Sequence, residues 1–441
     1  MRKTFIATLI TSAFLTLDAH AIDLLQVYRE ALANDAVYAS ARAALAAGSE
    51  RSTQGRALLL PTVGVGGAVN RNFVDPSVGP NRNFNNNAYT VSLAQPLFRP
   101  ANWEQYEKSK LAVASSEALF AQTQQDLIVR VSQAYFDVLT AQDALASLQA
   151  QKEAITEQLA SAKRNFEVGT ATITDTHEAQ ARFDLSVAQE FAARNDLEIR
   201  RTALQQIIGK PPVDLATLRP GVQLNSPQPA QIERWVDSAE TQNFGVIGQQ
   251  LAVESAKRDI KINRAGHLPT LDLVASRNYN NQSGAASASS PNGSSSSNAI
   301  GVQWNIPIFS GFAVTSRVRE SIALEEKSRA DLENARRTAA QNARQSYLGV
   351  NNGLAQVRAL EAAEISSQSA LESNRLGYQV GVRINIDVLN AQQQLFSTRR
   401  DLSKARYDTL VNGLRLKSAA GTLREEDLAE VNQLLQQTAT N

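Results

Sequence analysis

Two four-residue segments, Phe166-Glu167-Val168-Gly169 and Tyr378-Gln379-Val380-Gly381, are copies of one pattern placed 212 positions apart. Each copy is followed at the same spacing by an aspartate and then by the pair Ala-Gln. Further upstream, the segment Arg56–Thr62 matches Arg264–Thr270 at an offset of 208. Collinear matches at a nearly fixed offset are the signature of an internal repeat. The chain is therefore predicted to consist of two similar halves.

The spacing of apolar residues changes within each half from a helical pattern to a strand pattern and back. Val63, Val65 and Val69 alternate with small or polar residues, and a period of two is typical of a strand with one apolar face. The predicted halves span 22–208 and 231–421, with a linker at 209–230 and a C-terminal segment at 422–441. Each half contains a hairpin (62–98 or 270–309), a long helix (101–167 or 312–378) and a return helix (175–208 or 385–420).

The segment 101–167 contains neither Gly nor Pro, and apolar or small side chains recur in it every seven residues. Leu127, Ala134 and Ala141 belong to this series, and Val131 lies at the companion spacing. Sustained heptads predict coiled-coil packing against a neighbouring helix. At 1.5 Å per residue, a helix of this length is roughly 100 Å long.

Residues 1–21 have the organisation of a secretory signal peptide. Arg2 and Lys3 precede an apolar run, and Ala19-His20-Ala21 supplies a small-residue cleavage site. The alternative is an uncleaved anchor helix, but the apolar run is shorter than the ~20 residues that span a bilayer. We therefore expect the mature chain to be exported.

The composition argues against several classes of function. With 44 Lys+Arg against 43 Asp+Glu, the chain lacks the basic excess of a nucleic-acid-binding protein. It has no Cys, which removes thiol nucleophiles, zinc-thiolate sites and disulfides. His177 and His267 have no second histidine at metal-binding spacing, and no phosphate-binding or dinucleotide fingerprint is present. We predict no catalytic residue, no metal and no cofactor.

Four strands of about ten residues suit the thickness of an outer membrane. They cannot close a barrel, however, and would leave their edges exposed to lipid. Two copies would supply eight strands, whose interior is filled by side chains, whereas three would supply twelve around an open lumen. We expect three copies. The alternatives are a soluble coiled-coil protein with peripheral hairpins, a self-contained porin and a secreted coiled-coil adhesin.

The duplicated order of helix pair, hairpin, long helix, Val-Gly turn and return helix resembles the TolC family of outer-membrane efflux and secretion channels. The most specific segments are Gln151–Ile155, Val168-Gly169 with Ile173–Asp175, Leu376–Gly381 with Asp387–Leu389, Asn412–Lys417 and Gly421–Leu423. The resemblance implies a mainly α fold with membrane β-strands. It implies a homotrimer whose twelve-stranded β-barrel is continuous with an α-helical barrel of long antiparallel coiled coils in the periplasm.

The resemblance also implies a function and a set of partners. The protein would be a non-enzymatic exit duct in the outer membrane for drug efflux, type I protein secretion or both. Its partners would be outer-membrane lipid, a periplasmic adaptor protein and an inner-membrane pump of the RND, ABC or MFS type. It would be gated at the periplasmic end of its helices and opened when these partners dock.

The same resemblance nominates residues for the gate. The positions that match the gate contacts of the family are Thr174, Asp175, Tyr378, Arg383 and Arg406, with Gln158 beside them. It suggests that Arg383 reaches Asp175 and Thr174 across subunits and that Tyr378 pairs within one subunit. Without the resemblance, these residues are equally well read as solvated charges on the flanks of a coiled coil.

Two further groups complete the predicted site. Asp387 and Asn390 occupy the positions of the pore constriction, where Asn390 replaces an expected acid; Arg375 likewise stands where an acid would pair with Gln158. The turns Val168-Gly169 and Val380-Gly381 are the expected contacts with the adaptor. Simple helix termination by glycine is the alternative interpretation of these turns.

Overall fold

A computed structural model describes residues 21–212, 214–284 and 292–436. The predicted signal peptide lies outside these residues except for Ala21. In the described part of the chain, no helix combines the length and apolar character needed to cross a membrane.

The first half consists of α1 (Leu24–Asn34), α2 (Ala36–Ala57), β1 (Thr62–Val74), β2 (Arg82–Phe98), α3 (Pro100–Glu167) and α4 (Ile173–Ile208). After a two-residue strand, β3 (Thr217–Leu218), the second half repeats the same order. It consists of α5 (Ile232–Gln242), α6 (Phe244–Arg264), β4 (Thr270–Gly284), β5 (Gly293–Asn305), α7 (Ala313–Gln379) and α8 (Asn385–Ala419). The chain ends in α9 (Glu425–Asn432) and β6 (Leu435–Gln436). The predicted protomer fold, with four membrane-type strands and long antiparallel helices, is confirmed.

The long helices form because their sequences lack interruptions and bury one apolar stripe. Pro100 opens α3, where its fixed φ and missing N–H are tolerated. Leu127, Val131 and Val138 on α3 are fully buried, as the heptad pattern predicts. With 68 residues, α3 carries the chain about 100 Å from the sheet. The turns at the far ends of α3 and α7 therefore lie at the opposite end of the molecule from the strands.

The four long strands form one antiparallel sheet in the order β1-β2-β4-β5. The register aligns Val63, Leu93, Ala275 and Ile300 in one row across the sheet, and partners in a row point to the same face. The neighbouring row, Gly64, Ser92, Ser276 and Ala299, points to the other face. One face is therefore mainly apolar, and the other is small and polar. Both β1 and β5 have one edge without a partner strand in the described chain.

The second hairpin is shorter than its pattern predicts. Ile306 and Ile308 continue the alternation, but β5 ends at Asn305 rather than at residue 309. Pro307 lacks the N–H that a ladder needs, and Asn305 already pairs with Thr270, the first residue of β4. In the first hairpin, Pro96 is accommodated because the register shifts between Pro96 and Phe98, as in a β-bulge.

The segment predicted as a linker forms part of a belt around the middle of the long helices. Tyr135, in the middle of α3, donates its hydroxyl hydrogen to the carbonyl oxygen of Ala216 at 2.7 Å. β3 pairs with β6, which ties the linker to the C-terminal segment. The largest apolar core of the protomer lies here and includes Leu24, Val27 and Leu428. The belt fixes where α3 lies relative to both halves.

Candidate functional site

The two turns at the ends of the long helices have nearly the same backbone. Gly169 has φ of 78° and Gly381 has φ of 80°, a left-handed conformation that side chains other than glycine rarely adopt. The amide of Thr170 donates to the carbonyl of Asn165 at 2.8 Å, and the amide of Val382 donates to the carbonyl of Gly377 at 2.9 Å. These bonds satisfy carbonyl groups at each helix end. Each glycine therefore reverses the chain over a few residues.

Both turns present an apolar side chain to solvent. Val168 is 73% exposed and Val380 is 65% exposed. Apart from the adjacent residues, no atom of the described chain lies within 4 Å of the position that a Cβ would occupy on Gly169 or Gly381. Each turn thus offers a narrow, uncovered surface at the end of the helical hairpin.

The return helices begin differently in the two turns. Thr172 and Asp175 form a reciprocal capping box, in which the Asp175 amide donates to Thr172 Oγ1 at 3.3 Å and the Thr172 amide donates to Asp175 Oδ2 at 3.0 Å. At the matching position before α8, Ile384 supplies no side-chain hydrogen bond. The first turn of α8 therefore has amide groups that its own cap does not satisfy.

Because of this difference in capping, Asp175 and Asp387 have different partners. Asp175 is engaged by its own helix cap, whereas the carboxylate of Asp387 lies 3.6 Å from the guanidinium of Arg383 in the same protomer. Arg383 itself is mostly exposed. An exposed ion pair of this length is weak, about 0–1 kcal/mol. Arg383 can therefore leave Asp387 at little cost.

A buried amide joins the two turns, and the sequence patterns did not identify it. Asn385 is 1% exposed and accepts a hydrogen bond from the side-chain amide of Gln158 on α3. Its own side-chain amide donates to the backbone carbonyl of Asp175 at 3.5 Å. The available signal was the repeat itself, because Ile173 stands at the matching position in the first half. A polar residue replaces an apolar one where the two hairpins meet.

Tyr378 links the same two hairpins by another route. The side-chain amide of Asn165 donates to the Tyr378 hydroxyl oxygen at 3.2 Å within the protomer. Thr174 is exposed one residue before Asp175. The structure therefore brings Gln158, Asp175, Tyr378 and Arg383 to one end of the molecule.

Arg406 does not belong to this group. It pairs with Glu361 of α7 at 2.7 Å. Arg406 is 21 residues beyond Asn385 in α8, which places it about 30 Å from the tip at the rise of an α-helix. Its bond holds α7 against α8 along the shaft of the hairpin.

The predicted constriction residues also have partners within the protomer. Arg182 of α4 donates to Asn390 Oδ1 at 2.9 Å and to Gln393 Oε1 at 2.6 Å. These bonds tie the two return helices together. An aspartate at position 390 would meet the same guanidinium, so Asn390 keeps the contact without adding charge. Arg375, the other departure from the family pattern, is exposed.

Among the carboxylates of the helical hairpins, Glu190 and Asp143 have pKa values shifted in opposite directions. Hydrogen bonding from Lys152, aided by Arg194, holds the pKa of Glu190 below its ordinary value. Burial raises the pKa of Asp143, which accepts a hydrogen bond from Tyr407 at 2.9 Å. Through these bonds, Glu190 and Asp143 each join two neighbouring helices. Within the described ranges, no cluster of acidic or histidine side chains could hold a metal ion.

Comparison with known proteins assigns the architecture to a family. The outer membrane efflux protein family matches residues 27–210 and 235–422. The chain belongs to this family. It is 33% identical to the outer membrane protein TolC of Vibrio cholerae over 93% of each chain. It is 34% identical to the alkaline protease secretion protein AprF of Pseudomonas aeruginosa, over 96% of this chain and 89% of that protein.

Solved structures share the fold. The chain superimposes on a membrane protein from Pseudomonas aeruginosa with a TM-score of 0.79 and 19% identity, covering 97% of this chain and 98% of the other. The open state of the MtrE outer membrane channel of Neisseria gonorrhoeae gives a TM-score of 0.75 with 19% identity, covering 92% and 91%. The resemblance to the TolC family is confirmed. The protein is an outer-membrane duct for efflux or secretion, with a periplasmic helical tunnel, and it is not an enzyme.

The unequal caps predict unequal local stability. We expect the first turn of α8 to exchange its amide hydrogens faster than the first turn of α4. Ile384→Thr should create a cap with Asp387 like that of Thr172 with Asp175, and should slow exchange at 385–388 about five-fold. Hydrogen exchange followed by mass spectrometry measures this directly.

Val382→Thr is the matched control for Ile384→Thr. It makes the same kind of change in the same exposed turn, but outside the cap position, and should leave the exchange of α8 unchanged. Equal protection of both helix starts in the parent protein would contradict the assignment.

Proposed function

We propose that three copies of this chain form one channel. The observation that supports this assembly is the four-stranded sheet with an open edge on β1 and on β5. Lipid offers no hydrogen-bond partner to an exposed strand edge. Joining β5 of one copy to β1 of the next removes every edge, and three copies give twelve strands around a lumen lined by the small, polar face.

The helices then continue the barrel as a tunnel that closes at its tips. We propose that Arg383 exchanges its weak contact with Asp387 for Asp175 and Thr174 of the neighbouring subunit. Tyr378 and Gln158 hold the hairpins of one subunit together beside this contact. Each exposed pair is worth about 0–1 kcal/mol. Three symmetric copies can hold a closed state that a binding partner overturns.

The constriction is proposed to lie at Asp387. Three copies of this carboxylate around a narrow opening favour cations. Asn390 adds no second acidic ring, and Arg182 occupies its amide oxygen. The constriction is therefore less negative than two acidic rings would make it.

The exposed turns are proposed to meet a periplasmic adaptor that brings an inner-membrane pump. Val168, Gly169, Val380 and Gly381 form the uncovered end of each protomer. An adaptor that contacts them acts next to the gate residues, so docking and opening are coupled over a short distance. Relatives named for protease secretion support a secretion role, and the efflux family supports an efflux role. The pump proposed for either role is of the ABC, RND or MFS type.

Cross-linking across the strand edges tests the assembly. Val65 on β1 and Ile300 on β5 lie on the apolar face, and the chain has no native Cys. The double variant Val65→Cys/Ile300→Cys, treated with a short bis-maleimide, should give covalent dimers and trimers on a denaturing gel. Each single variant should stay monomeric, because a closed ring never places two copies of one edge together. A ladder that stops at dimers would contradict the trimer.

Single-channel recording in planar bilayers tests the gate. Arg383→Ser, alone or with Tyr378→Phe, should raise the basal conductance because it removes the contact that holds the tips closed. Arg399→Ser removes the same charge from the shaft of α8, where Arg399 pairs with Glu364, and should leave the conductance unchanged. If both Arg383 variants stay as closed as the parent, the proposed contact is wrong.

Ion selectivity tests the constriction. Asp387→Ala removes three carboxylates from the narrowest point and should weaken the preference for cations. Asn390→Asp should change the preference less than a free acidic ring would, since Arg182 neutralises the new charge. Reversal potentials under a salt gradient measure both effects. Unchanged selectivity in Asp387→Ala would place the constriction elsewhere.

A further inference from the structure

A groove of about 560 Å³ lies where the strands pass into the helices, between the two halves of the protomer. It is formed by the end of β2, the start of α3, the end of α6 and the segment before β4. We propose that this junction groove binds an anionic glycerophospholipid of the periplasmic leaflet through its phosphate group. The proposal rests on the sheet being the membrane-spanning part of the channel.

The walls of the junction groove are apolar and have no protein cover. Trp103 is 56% exposed, and Leu97, Phe98 and Leu268 are also largely exposed. Phe98 pairs in register with Leu271, which shares its face of the sheet with Trp304. Aromatic side chains of this kind gather where a membrane meets water. The acyl chains of a lipid would cover these walls.

The rim of the groove carries positive charge. Lys261 and Arg264 lie three residues apart on α6, so they share one side of the helix. Arg99 also lines the groove, but its Nε and Nη2 both donate to the carboxylate of Asp272, at 2.7 and 2.6 Å. Among the described residues, no carboxylate lies within salt-bridge distance of Arg264. Arg264 is therefore the cation with the least internal compensation.

The single acid on this rim is largely committed elsewhere. Glu104 pairs with Arg258 at 2.8 Å and reaches Lys261 only at 4.0 Å. The rim thus has two basic side chains, Lys261 and Arg264, for a phosphate that enters from the membrane. A headgroup with net negative charge is attracted by these two cations. A zwitterionic headgroup is attracted less, because its own cation compensates its phosphate.

The position and the volume of the junction groove fit a lipid headgroup together with the first part of its acyl chains. The groove lies at the helical end of the strands, opposite the polar ends of β4 and β5, and so at the level of the periplasmic leaflet. Its volume falls within the range of about 300–1,000 Å³ found for small-molecule sites. Basic residues near an anionic membrane surface each contribute about a five-fold preference. Two of them predict about a thirty-fold preference for anionic lipid.

The repeat supplies an internal control. Arg56 matches Arg264 in the other half of the chain. At that junction, however, Ser310 and Val314 stand where Arg99 and Trp103 stand in the groove. Arg56 therefore has the same charge at the matching position of the repeat, but it does not line the junction groove.

Quenching of Trp103 by lipids with brominated acyl chains tests the proposal. Trp235→Phe and Trp304→Phe leave Trp103 as the only tryptophan of the full-length mature protein. The protein is placed in nanodiscs of equal parts phosphatidylglycerol and phosphatidylcholine, with the bromine on one lipid or on the other. We expect stronger quenching when phosphatidylglycerol carries the bromine. Adding Lys261→Gln and Arg264→Gln should abolish the difference, and Arg56→Gln should retain it.

Several results would overturn the proposal. Equal quenching by the two brominated lipids in the parent would show that the groove does not select charge, even if a variant failed to fold. Loss of selectivity on addition of millimolar inorganic phosphate would assign the site to a free anion instead. Persistence of selectivity in the Lys261→Gln/Arg264→Gln protein would remove the role of these cations. Edge cross-linking and conductance, measured on the same samples, separate failure of this site from failure of the channel.

Discussion

The backbone N–H and C=O groups at the two edges of the sheet need hydrogen-bond partners, and this need constrains the whole protein. In the described part of one copy, β1 and β5 each leave a row of donors and acceptors without a partner strand, and a bilayer cannot supply partners. The proposed ring of copies would satisfy both edges at once. The alternation of apolar and small residues then has a direct meaning, because it assigns one face to lipid and the other to the lumen.

The long helices connect the sheet to the turns at the other end of the molecule. Because α3 and α7 are almost equal in length, both turns reach the same level, where glycines reverse the chain. The two turns differ in their helix caps, and the difference leaves Arg383 with a weak local partner. Midway along the helices, Tyr135 of α3 is bound to the linker segment through the carbonyl oxygen of Ala216.

Much of the fold could be predicted because it follows from local sequence patterns. Heptads gave the buried stripe of Leu127 and Val131, and alternation gave the two faces of the sheet. Contacts between residues far apart in the chain could not be read in this way. Asn385 meets Gln158 across 227 positions, and Arg406 pairs along the shaft rather than at the tip. Their partners depend on how the helical hairpins lie side by side, and the spacing of residues along the sequence does not indicate this arrangement.

The proposed lumen, gate and acidic constriction all depend on the number of copies in the ring. Native mass spectrometry of the detergent-extracted mature protein measures this number directly. We expect one species with the mass of three chains. A monomer that persists at working concentration, or a species of two chains, would contradict this expectation.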